Sequence, residues 1–417
     1  MLPHNSSRLH HLLTLICYLI YRLIRSLIHF ESNIFAALKS FIHCSSSLDE
    51  CCEILTIIYR KRFHVGDVAR SVDFIAFHER MASCDELWEH KWMLYTVNEH
   101  YAYFVRMPKP SFTYTAISTP YLTVCQFATA QLLARVPLKV FVEQSKRLRS
   151  MPGKVVVLTT MAKSGSTFLA RMLQACDAGA RNLLVLSEID AFGAIALRIA
   201  DFSITIQQAR TLLLASLRFA CKDQLCEQTI ILRMRWNCTR LVPHMKAIAP
   251  SVTHIFIGRR NLEQAIITQI AACSNDGELF SMLLSLRGFS PAICDWITTL
   301  TRMEWPLMRA IDPQSTIEIA VAFVAQSFMD YLRHEDCFAI PALFYEDLIY
   351  DTNETVKRLL NACSISEGCL QDCIEYKRKD KYARIAEEAT IAKYELCADD
   401  RQRLRKICSL IDYPLFE

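Results

Sequence analysis

VVVLTTMAKSGSTFLARML, Val155 to Leu173, reads as an apolar strand, a short polar turn and a helix. That order aims backbone N–H groups and the positive end of the helix at an anion. In the turn, Gly165 allows close approach, Lys163 adds a point charge, and Ser164, Ser166 and Thr167 offer hydroxyls. A nucleoside-triphosphatase loop, G-x-x-x-x-G-K-[ST], needs its lysine after the glycine. Here position 166 is Ser, and the lysine comes first. Such a loop also needs an acidic residue ending a neighbouring apolar strand to hold magnesium. His254-Ile-Phe-Ile-Gly-Arg-Arg260 ends in two arginines instead, which suits a further phosphate rather than a metal-bound triphosphate.

Working outward, apolar strand-like runs at 154–160, 183–187, 229–234, 253–257 and 337–344 alternate with helical patterns. Such alternation predicts an α/β fold, a P-loop-type parallel sheet flanked by helices, over residues 151–417. The preceding segment, 31–150, reads as mostly helical, from Asn33 to Ala82 and again from Tyr121 to Arg149. A small β-hairpin is expected at 92–106, turning at Asn98-Glu99. Residues 1–30 form a helical extension. In it Leu12, Leu13, Ile16, Leu19, Ile20, Leu23, Ile24, Leu27 and Ile28 recur at helical spacing, with Tyr18, Tyr21, Arg22, Arg25 and His29 opposite. Arg22 and Arg25 interrupt the run, which falls short of the roughly 20 residues a span needs. A basic amphipathic helix suits a membrane surface through residues 11–29, on the cytoplasmic or the Golgi side, or a position on the protein's own core.

The 417 residues are 52% hydrophobic and 22% charged, a globular composition, and the net charge of +4 is too small for a nucleic-acid-binding face. The 18 cysteines are scattered without a C-x-x-C pair, which reads as buried free thiols rather than a disulfide framework or zinc site.

Over 151–417 the chain resembles the sulfotransferases that use 3′-phosphoadenosine 5′-phosphosulfate. Their 5′-phosphosulfate loop reads like Met161-Ala-Lys-Ser-Gly-Ser-Thr-Phe-Leu169. Their second motif, an arginine after a strand and a hydroxyl residue eight positions on, is matched by Arg260 and Thr268. Tyr345-Glu-Asp-Leu348 before a helix at 354–363 resembles a third element. Ser187-Glu-Ile-Asp190 is similar to a Ser-Glu-Pro-Asp motif in an animal branch of the family, with Ile189 in place of the proline.

The resemblance implies transfer of a sulfonate from that donor to an acceptor hydroxyl or amine, without a metal. Lys163 and the amides of residues 165–167 would stabilise charge on the leaving oxygen. Arg260 and Thr268 would hold the 3′-phosphate, and Glu188, ending a strand at the carboxyl edge of the sheet, would be the general base. Arg233 and Arg235 are candidates to line the pocket. The Lys377-to-Lys381 run reads as solvated charge, and residues 274–306 as the acceptor-pocket segment. A P-loop kinase or NTPase, and a membrane-attached binding protein that has lost transfer, remain alternatives.

Overall fold

The computed structural model describes residues 8–42, 51–62, 67–148, 151–271, 280–282, 284–285, 311–380 and 395–414. In chain order, α1 (Arg8–Ile42) precedes β1 (Cys51–Arg60), β2 (Phe74–Ser83), β3 (Trp92–Val97), β4 (Tyr101–Arg106), α2 (Leu122–Thr129), β5 (Leu132–Pro137) and α3 (Leu138–Arg147). Then come β6 (Val155–Thr160), α4 (Ser166–Ala175), β7 (Leu183–Ser187), α5 (Asp190–Ala200), α6 (Ile206–Ala220), β8 (Thr229–Arg233), α7 (Val242–Ile248), β9 (Thr253–Gly258) and α8 (Leu262–Ala271). The last elements are α9 (Thr316–Arg333), β10 (Leu343–Phe344), α10 (Tyr345–Tyr350), α11 (Thr352–Cys363), α12 (Cys369–Lys379) and α13 (Ala398–Leu410).

The quoted stretch forms the middle of a five-stranded sheet ordered β10-β9-β6-β8-β7, every pair parallel. All of β6 is buried, because helices cover both faces of the sheet. Each fully buried Val or Leu there stabilises the fold by about 1.5–3 kcal/mol. The central position of β6 matters for function. The loop that follows it lies between the ends of β8 and β9, at the carboxyl edge where open α/β sheets bind ligands. Of the expected last strand, 337–344, only Leu343–Phe344 pairs with β9.

The N-terminal region differs from the mostly helical expectation. It holds a second five-stranded sheet, antiparallel, ordered β2-β1-β5-β4-β3. The β3–β4 hairpin turns at Asn98, whose Oδ1 accepts from the amides of His100 and Tyr101. Strands β1 and β2 occupy what read as helix, and β5 divides the second expected helix. In β1, Cys52 to Leu55 are buried without alternation, Glu53 among them through ion pairs with His78 and Arg135, so the stretch lacks the two-residue period that marks a strand.

Helix α1 extends to Ile42, past the 1–30 boundary. Its buried positions are largely its polar ones. Tyr21 donates to the carbonyl of Val72 at 2.8 Å, and Arg25 donates to the carbonyls of Phe74 and Ser71 at 3.0 Å each. Leu23 and Phe30, by contrast, are 62% and 66% exposed. Leu9–Leu38 is long and apolar enough to cross a membrane by length and composition.

Two histidines make the fold acid-sensitive. His254, in β9, is buried with neither ring nitrogen hydrogen-bonded, and burial, with Lys246 adding, pushes its pKa from 6.5 down to about 4. Burial of His29, with Arg25 and Arg135 adding, likewise lowers it to about 4. Both rings are neutral when folded, while the unfolded chain takes up protons near pH 6.5. Their contribution is therefore complete above about pH 6.5 and is lost as pH falls toward 4, up to about 3 kcal/mol for the buried His254 and less for the half-buried, solvent-screened His29. Urea unfolding should show stability falling from pH 7 to 4.5, with His254→Leu removing more than half of the fall; an unchanged slope would contradict the assignment.

Candidate functional site

The loop after β6 is closed by two left-handed residues, Lys163 at φ 60° and Gly165 at φ 74°. Gly165 stands immediately before α4, so its conformation sets the direction in which the first amides of that helix point. A side chain is excluded here by space as well as by φ. A Cβ on Gly165 would lie 2.3 Å from Cδ2 of Tyr345. Ser164 is buried, and its hydroxyl has no hydrogen-bond partner. Ser166 and Thr167 form the first turn of α4, Ser166 buried and Thr167 half-buried.

A guanidinium group flanks the loop on each side. From β9, Arg259 donates to the Lys163 carbonyl at 3.3 Å and to the Thr268 hydroxyl at 3.2 Å, and it lies 4.5 Å from the centre of the Tyr345 ring. From β8, Arg233 reaches the Ser166 hydroxyl at 3.4 Å and the Pro120 carbonyl at 2.7 Å, 5.7 Å from the Tyr121 ring. Both arginines are buried, and the Nε–H of each lacks a partner. Leaving buried donors unsatisfied costs about 1–3 kcal/mol apiece. Three such groups around one anion-shaped turn, Ser164 Oγ, Arg233 Nε and Arg259 Nε, fit a phosphate- or sulfate-bearing ligand that supplies the missing acceptors.

The arrangement separates Arg260 from Thr268. Arg260 is exposed and turned away, its Nη2 donating to Asp347 at 2.9 Å while its guanidinium stacks over Phe344 at 4.2 Å. Glu346 accepts from the amides of Arg260 and Asn261 at 3.1 and 3.0 Å, holding the turn before α8. The acidic pair of Tyr345-Glu-Asp-Leu348 therefore binds Arg260 and its backbone, and neighbouring Arg259 is the residue that meets Thr268. No local signal separates the two arginines in the sequence; the acids that hold Arg260 follow directly on Tyr345, far along the chain.

Glu188 follows the last residue of β7 with φ 60°, a conformation non-glycine residues seldom adopt. Its amide donates to the Arg233 carbonyl at 2.7 Å, and its carboxylate lies 3.1 Å from Arg233 Nη1 and 3.9 Å from Arg235 Nε. It sits beside the loop, as the strand-end position implied, but bound to arginine. Arg235 turns instead to Asp190 at 3.1 Å. Burial raises the pKa of Asp190 against the pull of Arg235 and Arg62, and the carboxylate also accepts from Ala69 N at 2.7 Å and Thr123 Oγ1 at 2.6 Å. The last residue of Ser187-Glu-Ile-Asp190 thus fastens the antiparallel region to the site.

His244 and His254 do not contribute to the loop. The Lys377-to-Lys381 run is held locally: Lys377 donates to the Ile349 carbonyl and the Thr352 hydroxyl, Lys379 pairs with Glu375 at 2.7 Å, and Lys381 lies outside the described residues. Nearly all of the expected acceptor segment, 274–306, also lies outside them.

No protein-family model matches the sequence, and no curated protein does. Among solved structures, the chain is similar to the sulfotransferase STF9 from Mycobacterium avium, at 8% identity over 68% of this chain and 82% of that one, with a TM-score of 0.39. It is also similar to the sulfotransferase domain from the curacin biosynthetic pathway, at 13% identity over 64% and 99% of the two chains, with a TM-score of 0.33. Both scores are too low to carry an assignment.

The contact of Gly165 with Tyr345 is testable without a ligand. Gly165→Ala should lower stability by about 2 kcal/mol or more through its left-handed φ and the clash. Combining it with Tyr345→Ala should recover part of that loss in a double-mutant cycle, whereas strict additivity would show that the ring does not crowd the loop.

Proposed function

We propose that the chain is a sulfotransferase using 3′-phosphoadenosine 5′-phosphosulfate as donor and a hydroxyl or amine as acceptor. The observation that carries this reading is the buried guanidinium of Arg259, hydrogen-bonded to both the loop and Thr268 and with its Nε–H still unsatisfied. A nucleotide with two separate anionic ends would use both parts of that arrangement. Lys163 and the amides of residues 165–167 would bind the 5′-phosphosulfate, and Arg259 with Thr268 the 3′-phosphate. The donor supplies the sulfonate and the leaving phosphate. On the protein's side, fixed N–H groups and cations at the leaving oxygen favour the charge that develops there, and they need no reorganisation during reaction. The 3′-phosphate forms no reacting bond, so its contacts supply remote binding energy for orientation.

Glu188 is proposed as the residue that accepts the acceptor's proton once ligand binding draws Arg233 toward the anion. Its ion pair with Arg233 also gives support to a second reading, a protein that binds the nucleotide and no longer transfers. We place either activity at a membrane, on the strength of the exposed apolar residues of α1.

Calorimetric titration with adenosine 3′,5′-bisphosphate separates these readings. Arg259→Gln should weaken binding about 10- to 100-fold, the loss of a charged hydrogen bond, while Arg260→Gln should change it less than about 3-fold. The reverse order would overturn the site. Equal affinity for ADP, or magnesium-dependent turnover of ATP, would favour a kinase or NTPase. Tight binding with no transfer to any acceptor, and no effect of Glu188→Gln on ligand affinity, would favour the binding protein.

A further inference from the structure

Helix α1 meets the protein with the side opposite to the one an amphipathic helix ordinarily buries. His11, Leu15, Tyr18, Tyr21 and Ser32 are buried, and Arg25 is tied to two backbone carbonyls of the antiparallel region. Ser32 accepts from the His78 amide at 2.8 Å, and Asn33 accepts from Arg135 at 3.0 Å. These bonds run along the helix, so it is fixed over much of its length by its polar side. Leu13, Ile20, Leu23, Leu27, Phe30 and Leu38 face outward and are exposed. Between Leu12 and Phe30 the two charged side chains, Arg22 and Arg25, are half-buried, and the next, Glu31, is exposed.

From this inverted docking we propose that α1 is an in-plane membrane anchor. It would lie along the lipid surface with its outward apolar side sunk to the level of the acyl chains and its polar side holding the catalytic body. The inference deepens the membrane placement above and is independent of which reaction the site performs.

Three observations select a lipid surface over a protein groove or a span. At 1.5 Å per residue, Leu9–Leu38 gives an apolar line of about 44 Å, longer than the roughly 30 Å hydrocarbon core. Crossing would require breaking the bonds of Tyr21, Arg25 and Ser32, and it would carry Arg22 and Arg25 into hydrocarbon at about 2.5–3.5 kcal/mol each. Beside the helix, the exposed ring of Tyr59 lies 6.1 Å from that of Tyr21, giving the amphipathic aromatic edge found at lipid–water boundaries.

Flotation of the full chain with vesicles of phosphatidylcholine and phosphatidylserine tests the surface. The wild-type chain should float, and Leu23→Lys/Leu27→Lys should reduce the bound fraction at least about tenfold without shifting the unfolding midpoint, since both positions are exposed. Depth then tests the mode. Leu13→Trp, Leu23→Trp and Phe30→Trp, each read by brominated-lipid quenching above the native tryptophan baseline, should report one common shallow depth. A graded depth from position 13 to position 30 would mean that the helix spans, which overturns the in-plane inference and leaves membrane placement standing. Failure to float, with self-association that the double lysine variant abolishes, would overturn both in favour of a second copy of the chain.

Discussion

Arg259 is the point on which the candidate site depends. Its guanidinium joins the carbonyl of the phosphate loop, the hydroxyl of α8 and the ring of Tyr345. These three belong to segments far apart in sequence, and β6 and β9 bring them together as parallel neighbours. Tyr345 in turn lies against Gly165, so the arginine and the left-handed glycine share one aromatic wall. A bulkier residue at 165 or a shorter side chain at 259 disturbs the same assembly. The Arg259 Nε–H and the Ser164 hydroxyl are buried there without partners, at a cost of about 1–3 kcal/mol each.

A second chain of polar contacts ties the antiparallel region to that assembly. Asp73 meets Arg62 at 2.9 Å, Arg62 meets Thr123 at 3.2 Å, and Thr123 donates to Asp190. From Asp190 the contacts continue through Arg235 to Glu188 and Arg233, and so to Ser166 at the start of α4. Buried charges are tolerable only when each has a partner, and removing one typically costs about 3–5 kcal/mol. Residues 51–148 are thus more than an appendage to the α/β part. Through Pro120 and Tyr121 they bear on Arg233, and through Ala69 and Thr123 on Asp190, the partner of Arg235.

The parallel sheet was legible because its strands are short apolar runs separated by helical periods, and four of its five strands fall within a residue of their expected ends. Of the N-terminal sheet only the β3–β4 hairpin at 92–106 was legible. Strand β1 is buried on both faces only over Cys52–Leu55, with Glu53 inside the run, and loses there the alternation by which a strand is recognised. The strand–turn–helix around Gly165 was read residue by residue, because a glycine between an apolar strand and a helical pattern marks a turn. The choice between Arg259 and Arg260 depended on a partner almost ninety positions away, the Glu346-Asp347 pair, and no local spacing encodes that contact. Helix α1 showed its two faces in the sequence, but which of them turns inward follows from carbonyls at 71–74 that only the fold brings near.

The most direct measurement is a crystal structure of the full chain with adenosine 3′,5′-bisphosphate. The account predicts the 5′-phosphate on the amides of residues 165–167 beside Lys163, and the 3′-phosphate on Arg259 and Thr268, with Arg259 Nε–H now bonded. A nucleotide whose 3′-phosphate contacts Arg260, or one bound away from the β6–α4 turn, would contradict it.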